Sequence, residues 1–239
     1  MDGIAGTAIK SRPEPSNRAV EYDRLRISLE SALEQDIRED IGFHRTLSLF
    51  DSRTQGHLRR VGHLLANFAP AFGFSPAEVA EFHKGALLHD LGKLMVSKAI
   101  IDKPTALSDP ERHAIEQHPG LGDEMLAPFT LSDPVRAIVL FHHERWDGNG
   151  YPYRLAGSQI PFSARMTAVV DVYDALTHDR PYRRAWEMSR VEAFLVENGG
   201  TMFDDMLVQA FLEFITHVPS RFSRPHRTRT RTSYAYGSF

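Results

Sequence analysis

No cysteine occurs in the 239 residues. Disulfides, thiolate ligands and a cysteine nucleophile are thereby excluded, and any bound metal must be held by nitrogen and oxygen. No apolar run approaches the roughly 20 residues that span a bilayer. The first twenty residues carry Lys10, Arg12, Glu14 and two prolines without an apolar stretch. A secretory signal is not expected there, and a cytoplasmic location is the reading. Period-2 alternation is also missing, so no strand is predicted, and there is no internal repeat. Acids are absent from 219–239, which carries Arg221, Arg224, Arg227, Arg229 and Arg231 against an overall charge of -3. That composition reads as a basic, disordered tail, and binding to a nucleic-acid polymer is not expected.

What is present supports a folded domain. A hydrophobic share of 42% and a charged share of 25% are ordinary for a globular chain, so a core is expected. Residues 1–20 read as a flexible leader. From Tyr22, the positions Leu25, Leu29, Leu33, Ile37 and Ile41 recur three or four apart, which predicts an amphipathic helix within an N-terminal extension over 21–49. This helix either packs on the main domain over 50–218 or pairs with a second copy in a homodimer. Further helices are predicted from Thr54 to Pro70, from the Ser75-Pro76 cap to Asp90, over 109–117 and 120–127, and from Asp133 to about His143. Gly92 reads as a helix stop. A turn-rich loop with Gly148, Gly150, Pro152 and Gly157 follows, then helices from Pro161 to His178, over 187–198 and over 204–217. The fold class is all-α.

Twelve histidines are present, and several stand beside aspartates near predicted helix ends. His89-Asp90, His118, His142-His143 and Asp171 sit in or beside such ends, and His57 opens a helix. Adjacent helical residues point about 100° apart because a turn holds 3.6 residues. A doublet therefore cannot line one narrow stripe, but it can serve two metals at a site ringed by helices. Imidazole and carboxylate suit Zn, Fe, Mn or Ni. The residues alone lead to a polynuclear metal site and no further; they name no substrate.

The order of the motifs carries a resemblance. His89-Asp90-Leu91-Gly92-Lys93, Lys103-Pro104 and His118-Pro119 with Gly122 precede His142-His143-Glu144-Arg145-Trp146-Asp147-Gly148-Asn149-Gly150-Tyr151-Pro152. Ile160-Pro161, Ala164-Arg165, Asp171-Val172-Tyr173-Asp174-Ala175-Leu176 and Arg180-Pro181-Tyr182-Arg183 follow. Over about 50–215 this resembles the HD-GYP domain family, helical metal-dependent phosphodiesterases that hydrolyse cyclic di-GMP. The resemblance implies an HD-domain helical bundle with a turn-rich Gly-Tyr-Pro loop. Its implied metal ligands are His57, His89, Asp90, His118, His142, His143 and Asp171, with Asp90 bridging. Some members carry a glutamate four residues before the first histidine, which helps hold a third metal. Arg53 stands there, a cation that cannot ligate, so two divalent metals are expected, Fe or Mn ahead of Zn, Ni or Mg.

The resemblance also implies a mechanism. Water shared by the two metals would be acidified towards a pKa of about 7 and attack phosphorus in line. The ring would open to the linear dinucleotide, and a second round would yield GMP. Lys93 would reach the phosphate, and Arg180 and Arg183 would clamp it. Glu144 would orient a ligand histidine. Gly150, Tyr151 and Pro152 would form an exposed ledge that meets partners such as diguanylate cyclase domains. Two alternatives stay open: a non-catalytic cyclic di-GMP sensor or partner-binding module, and a phosphodiesterase for another cyclic or linear dinucleotide.

Overall fold

The computed structural model describes residues 17–39, 43–180 and 183–217. The expected leader up to residue 16 and the basic tail from 219 lie outside the described residues. The chain is all-α: eleven α-helices and no strand are found among the described residues, with only isolated bridges such as Asp147 to Ala156. In chain order the helices are α1 (Asn17–Glu39), α2 (His44–Leu47), α3 (Ser52–Phe68), α4 (Pro76–Leu88), α5 (Lys98–Ile101) and α6 (Asp109–Glu116). They continue as α7 (His118–Leu126), α8 (Asp133–Phe141), α9 (Phe162–Thr177), α10 (Met188–Glu197) and α11 (Asp205–His217). None is long and apolar enough to cross a membrane.

Helix starts follow local chemistry. Asp51 caps α3 by accepting the Arg53 and Thr54 amides at 3.0 and 3.2 Å. Ser75 and Glu78 form a reciprocal capping box ahead of Pro76 at the first position of α4. Because α3 starts at Ser52, His57 lies in its second turn rather than opening it.

Helix α9 is the axis of the domain. Met166 to Leu176 are buried without a break, the signature of a helix enclosed on every side. It packs against α3, α8, α10 and α11. One core cluster joins those helices through Val61, Phe68, Ile138, Val169, Leu195 and Phe211. A second lies behind the His89-Asp90 segment and joins Leu58, Leu88, Leu91, Leu126 and Val139 to Leu29 and Leu33 of α1.

Helix α1 therefore spends its apolar stripe within its own chain. It also begins at Asn17, inside the 1–20 stretch read as a leader. Asp36 completes its docking: its carboxylate accepts the Arg45 and Thr46 amides at 3.2 and 2.7 Å and so satisfies the start of α2. Ile41 lies outside the described residues, and Phe43 takes a left-handed φ of 56° before α2.

Candidate metal centre

The expected ligands come from five places in the fold. His57 is on α3, His89 caps the C-terminus of α4 with Asp90 next, His118 opens α7, and His142-His143 follow α8. Asp171 lies in the middle of α9, not at a helix end. A carboxylate is costly inside so apolar a helix unless it is paired, and both Asp171 and Asp174 are.

Two donor groups result. Asp90, His118, His142 and His143 offer ligand atoms all within 4.8 Å of one another, and so do His57, His89 and Asp90. Asp90 belongs to both. Asp171 adjoins the second group, with Oδ1 3.0 Å from His57 Nε2 and 3.8 Å from His89 Nε2. All seven expected ligands are thus brought together.

The hydrogen bonds show which imidazole atoms are left for a metal. Nδ1 of His89 lies 2.7 Å from the Ala86 carbonyl, and Nδ1 of His118 lies 2.6 Å from that of Ile115. Nδ1 of His142 lies 3.1 Å from the carbonyls of Ile138 and Val139. A carbonyl only accepts, so these nitrogens carry the protons and each neutral ring turns an Nε2 lone pair inward. Nε2 of His118 and of His142 then face each other at 3.3 Å, with Asp90 Oδ1 at 3.4 and 3.7 Å. His89 Nε2 and Asp90 Oδ1 are buried without a hydrogen-bond partner among the described residues. Lone pairs converging on one point without a donor suit a cation, so the donor set fits a divalent metal.

The charge states agree. Burial holds the imidazoles of His89, His118 and His142 below their ordinary value, His118 at about 4. Burial alone would raise Asp90, but the Lys93 ammonium, 2.7 Å from Oδ2, keeps its carboxyl well below the usual carboxylate range. His57 differs. Burial disfavours its cation, yet the hydrogen bonds it donates to Asp171 and Asp174 prevail and lift it to about 9. A metal at this histidine must displace its Nε2 proton, so uptake there releases a proton.

Asp174 and Arg60 were missed in the sequence. Asp174 is fully buried; its Oδ2 is 2.7 Å from His57 Nδ1, and Arg60 grips it bidentately at 2.7 and 2.9 Å. The signal was available: a second carboxylate one turn beyond Asp171, on a helix too apolar for solvent. Asp174→Asn is expected to weaken metal binding at the His57 group about 10–100-fold, as loss of an orienting carboxylate does, and also leaves Arg60 facing the site without its counter-charge. Competition titration with Mn²⁺ reads the change; unaltered affinity would refute the role.

Three other expectations need correction. Glu144 does not orient a histidine: its carboxylate accepts the Tyr153 and Leu155 amides at 2.7 and 3.0 Å and folds the loop back. Tyr151 is not an exposed ledge but half-buried, stacked on His143 at 4.8 Å, while Pro152 is exposed. Gly92 is not a helix stop. It lies in the 3-10 turn Leu91–Met95, where a Cβ would come within 1.9 Å of the His118 carbonyl oxygen. Arg180 and Arg183 exchange backbone hydrogen bonds at 2.7 and 3.1 Å. The Arg183 guanidinium donates to the Ala175 carbonyl and lies 5.3 Å from the centre of the Trp186 ring, so it also anchors the segment after α9.

Known proteins resemble this chain over most of its length. The HD domain model matches residues 43–207. The cyclic di-GMP phosphodiesterase response regulator RpfG of Xanthomonas campestris is 35% identical over 198 residues, 82% of this chain and 52% of that protein. A cyclic di-GMP phosphodiesterase of Vibrio cholerae is 37% identical over 169 residues, 67% of this chain and 34% of that protein. The chain therefore spans about half the length of these curated relatives, or less. The solved structure of an HDG"Y"P protein from Bdellovibrio bacteriovorus superposes with a TM-score of 0.58 at 16% identity, over 86% of this chain and 75% of that one, and shares the fold. With its His-Asp cluster and its loop from His142 to Pro152, the chain belongs to the HD domain family, among the HD-GYP proteins.

Proposed function

We propose that the chain is a binuclear metal-dependent phosphodiesterase domain that hydrolyses cyclic di-GMP to the linear dinucleotide and on to GMP. The observation that carries this reading is the sharing of Asp90 between two donor groups, with Asp171 beside one of them. Its carboxylate has an oxygen for each. The names of the relatives support the substrate, and the absence of acid at Arg53 supports two metals rather than three. An all-nitrogen-and-oxygen set with five imidazoles suits Fe or Mn; Zn, Ni or Mg are the alternatives that elemental analysis separates. A cytoplasmic setting goes with the same reading.

Metals held here would supply an acidified water and neutralise charge on the phosphate. The chain's own residues do the rest. Asp90 and Asp171 hold negative charge at the centre of the site, and His57, His89, His118 and His142, each bonded through Nδ1, keep their Nε2 atoms turned inward. Lys93, half-buried and one turn from Asp90, is within reach of a bound phosphate oxygen and offsets the charge that builds as the P–O bond to the leaving ribose breaks. Arg180 clamps the substrate phosphate, with Arg183 beside it. Because Arg183 also anchors the chain after α9, its removal affects the order of that segment as well as substrate binding. Pro152 and Tyr153, the latter 64% exposed, form the surface a diguanylate cyclase domain would meet. A homodimer through α1 would have to use residues other than Leu29 and Leu33, such as the 61% exposed Ile27.

The test is metal content and cyclic di-GMP turnover on one anaerobic preparation. Two metals per chain with release of linear dinucleotide and GMP is expected. Fewer than two metals at full activity removes the binuclear centre. Tight binding without hydrolysis at full occupancy makes the chain a sensor, and preferential cleavage of another cyclic dinucleotide removes the substrate assignment.

A further inference from the structure

Four of the five imidazoles at the centre are fixed through Nδ1: His57 by Asp174, His89 by Ala86, His118 by Ile115, and His142 by Ile138 and Val139. His143 has no such bond among the described residues. An imidazole without a hydrogen bond can turn about two side-chain torsions, and that mobility would cost metal affinity. Its ring is instead held by walls. His118 meets it edge-on at 5.0 Å, His142 lies at 4.1 Å, and Tyr151 stacks on it at 4.8 Å with 30° between the planes.

The stacking ring is itself held in place. The Tyr151 amide donates to the His143 carbonyl at 3.2 Å, and Glu144 grips the next turn through Tyr153 and Leu155. Gly150 makes this return possible. A Cβ there would come within 2.4 Å of the Arg145 nitrogen and 2.6 Å of the His143 carbonyl oxygen, so no other residue lets the loop close so tightly. The loop thus doubles back on the ligand that precedes it.

We propose that Tyr151 is a positioning residue of the metal centre: its ring, stacked on His143, holds that imidazole in the ligating rotamer. The Gly-Tyr-Pro turn is then part of the metal site before it is a surface for any partner. This inference rests on the proposal that the cluster binds metal. Its effect is confined to one group, because Tyr151 stacks on a ligand of the Asp90-His118-His142-His143 set and on none of the His57-His89 set.

The experiment is a Mn²⁺ titration of metal-free full-length chain, wild type beside Tyr151→Phe, Tyr151→Leu and Tyr151→Ala, with helix content checked for each. Wild type and Tyr151→Phe should both bind two ions, since phenylalanine keeps the stacking face. Tyr151→Leu and Tyr151→Ala should keep one ion at wild-type affinity and bind the other about 10–100-fold more weakly. Two ions bound by folded Tyr151→Ala as in wild type would overturn the inference and leave the proposed function standing. Loss of the ion in Tyr151→Phe would overturn it in favour of the hydroxyl. Equal weakening of both ions would reduce Tyr151 to a general structural role. No ion bound by wild type would overturn the metal centre and this inference together.

Discussion

Asp90→Ala is expected to strip the chain of bound metal and of turnover together. Asp90 is the residue common to both donor groups, so its loss leaves three imidazoles in one and two in the other, with only Asp171 to add negative charge. No neighbour replaces it, because His89, His118 and His142 are anchored by their own hydrogen bonds. A fall of about 1,000-fold or more in turnover is expected, equivalent to about 4 kcal/mol in barrier height. The fold should survive, because Leu88 and Leu91 on either side of the pair are packed in the core irrespective of metal. Elemental analysis and a cyclic di-GMP assay on the same folded sample check this. Full occupancy and full turnover in Asp90→Ala would remove the proposed mechanism.

Gly92→Ala should have the largest effect of any change that removes no ligand. The added methyl would sit 1.9 Å from the His118 carbonyl oxygen and 2.6 Å from the Gly122 nitrogen, both backbone atoms that cannot rotate away. The turn bearing Asp90 and Lys93 must then separate from α7, which bears His118. Overpacking of this kind costs about 1–3 kcal/mol, or a fall of roughly 2–4 °C in melting temperature per kcal/mol at this chain length. Displacing ligands by about 1 Å can cost a further 100-fold in rate. Gly120→Ala, on the same helix with nothing within 4 Å of the added carbon, is the control and should leave both unchanged. Melting curves and turnover compared across the two variants decide the matter; equal behaviour would show that the close approach at Gly92 is not required.

Much of the fold was legible because burial leaves a periodic trace. The stripe from Leu25 to Ile37, the Ser75-Pro76 cap and the run after Pro161 each correspond to a helix. The ligands were legible for another reason: five histidines and two aspartates in motif order are unusual enough for a resemblance to identify them. Less legible were residues whose role depends on what faces them. Asp174 is 117 positions from His57, and only the crossing of α3 and α9 brings them to 2.7 Å. Glu144 seemed to belong to the histidines next to it in sequence, but its carboxylate turns to amides nine and eleven residues on. Tyr151 looked like a surface residue because loops of that composition usually are.

The sequence by itself determined the longer helices, the absence of cysteine and the kind of ligands available, since these follow from periodicity and residue type, while the four-residue α2 and α5 left no periodic trace. Tertiary structure alone decided that Asp174 and Arg60 stand behind His57, that a Gly-Tyr-Pro turn closes on His143, and that Gly92 must be bare. Those are questions of distance between segments far apart in the chain, and helical spacing carries no information about which faces will meet.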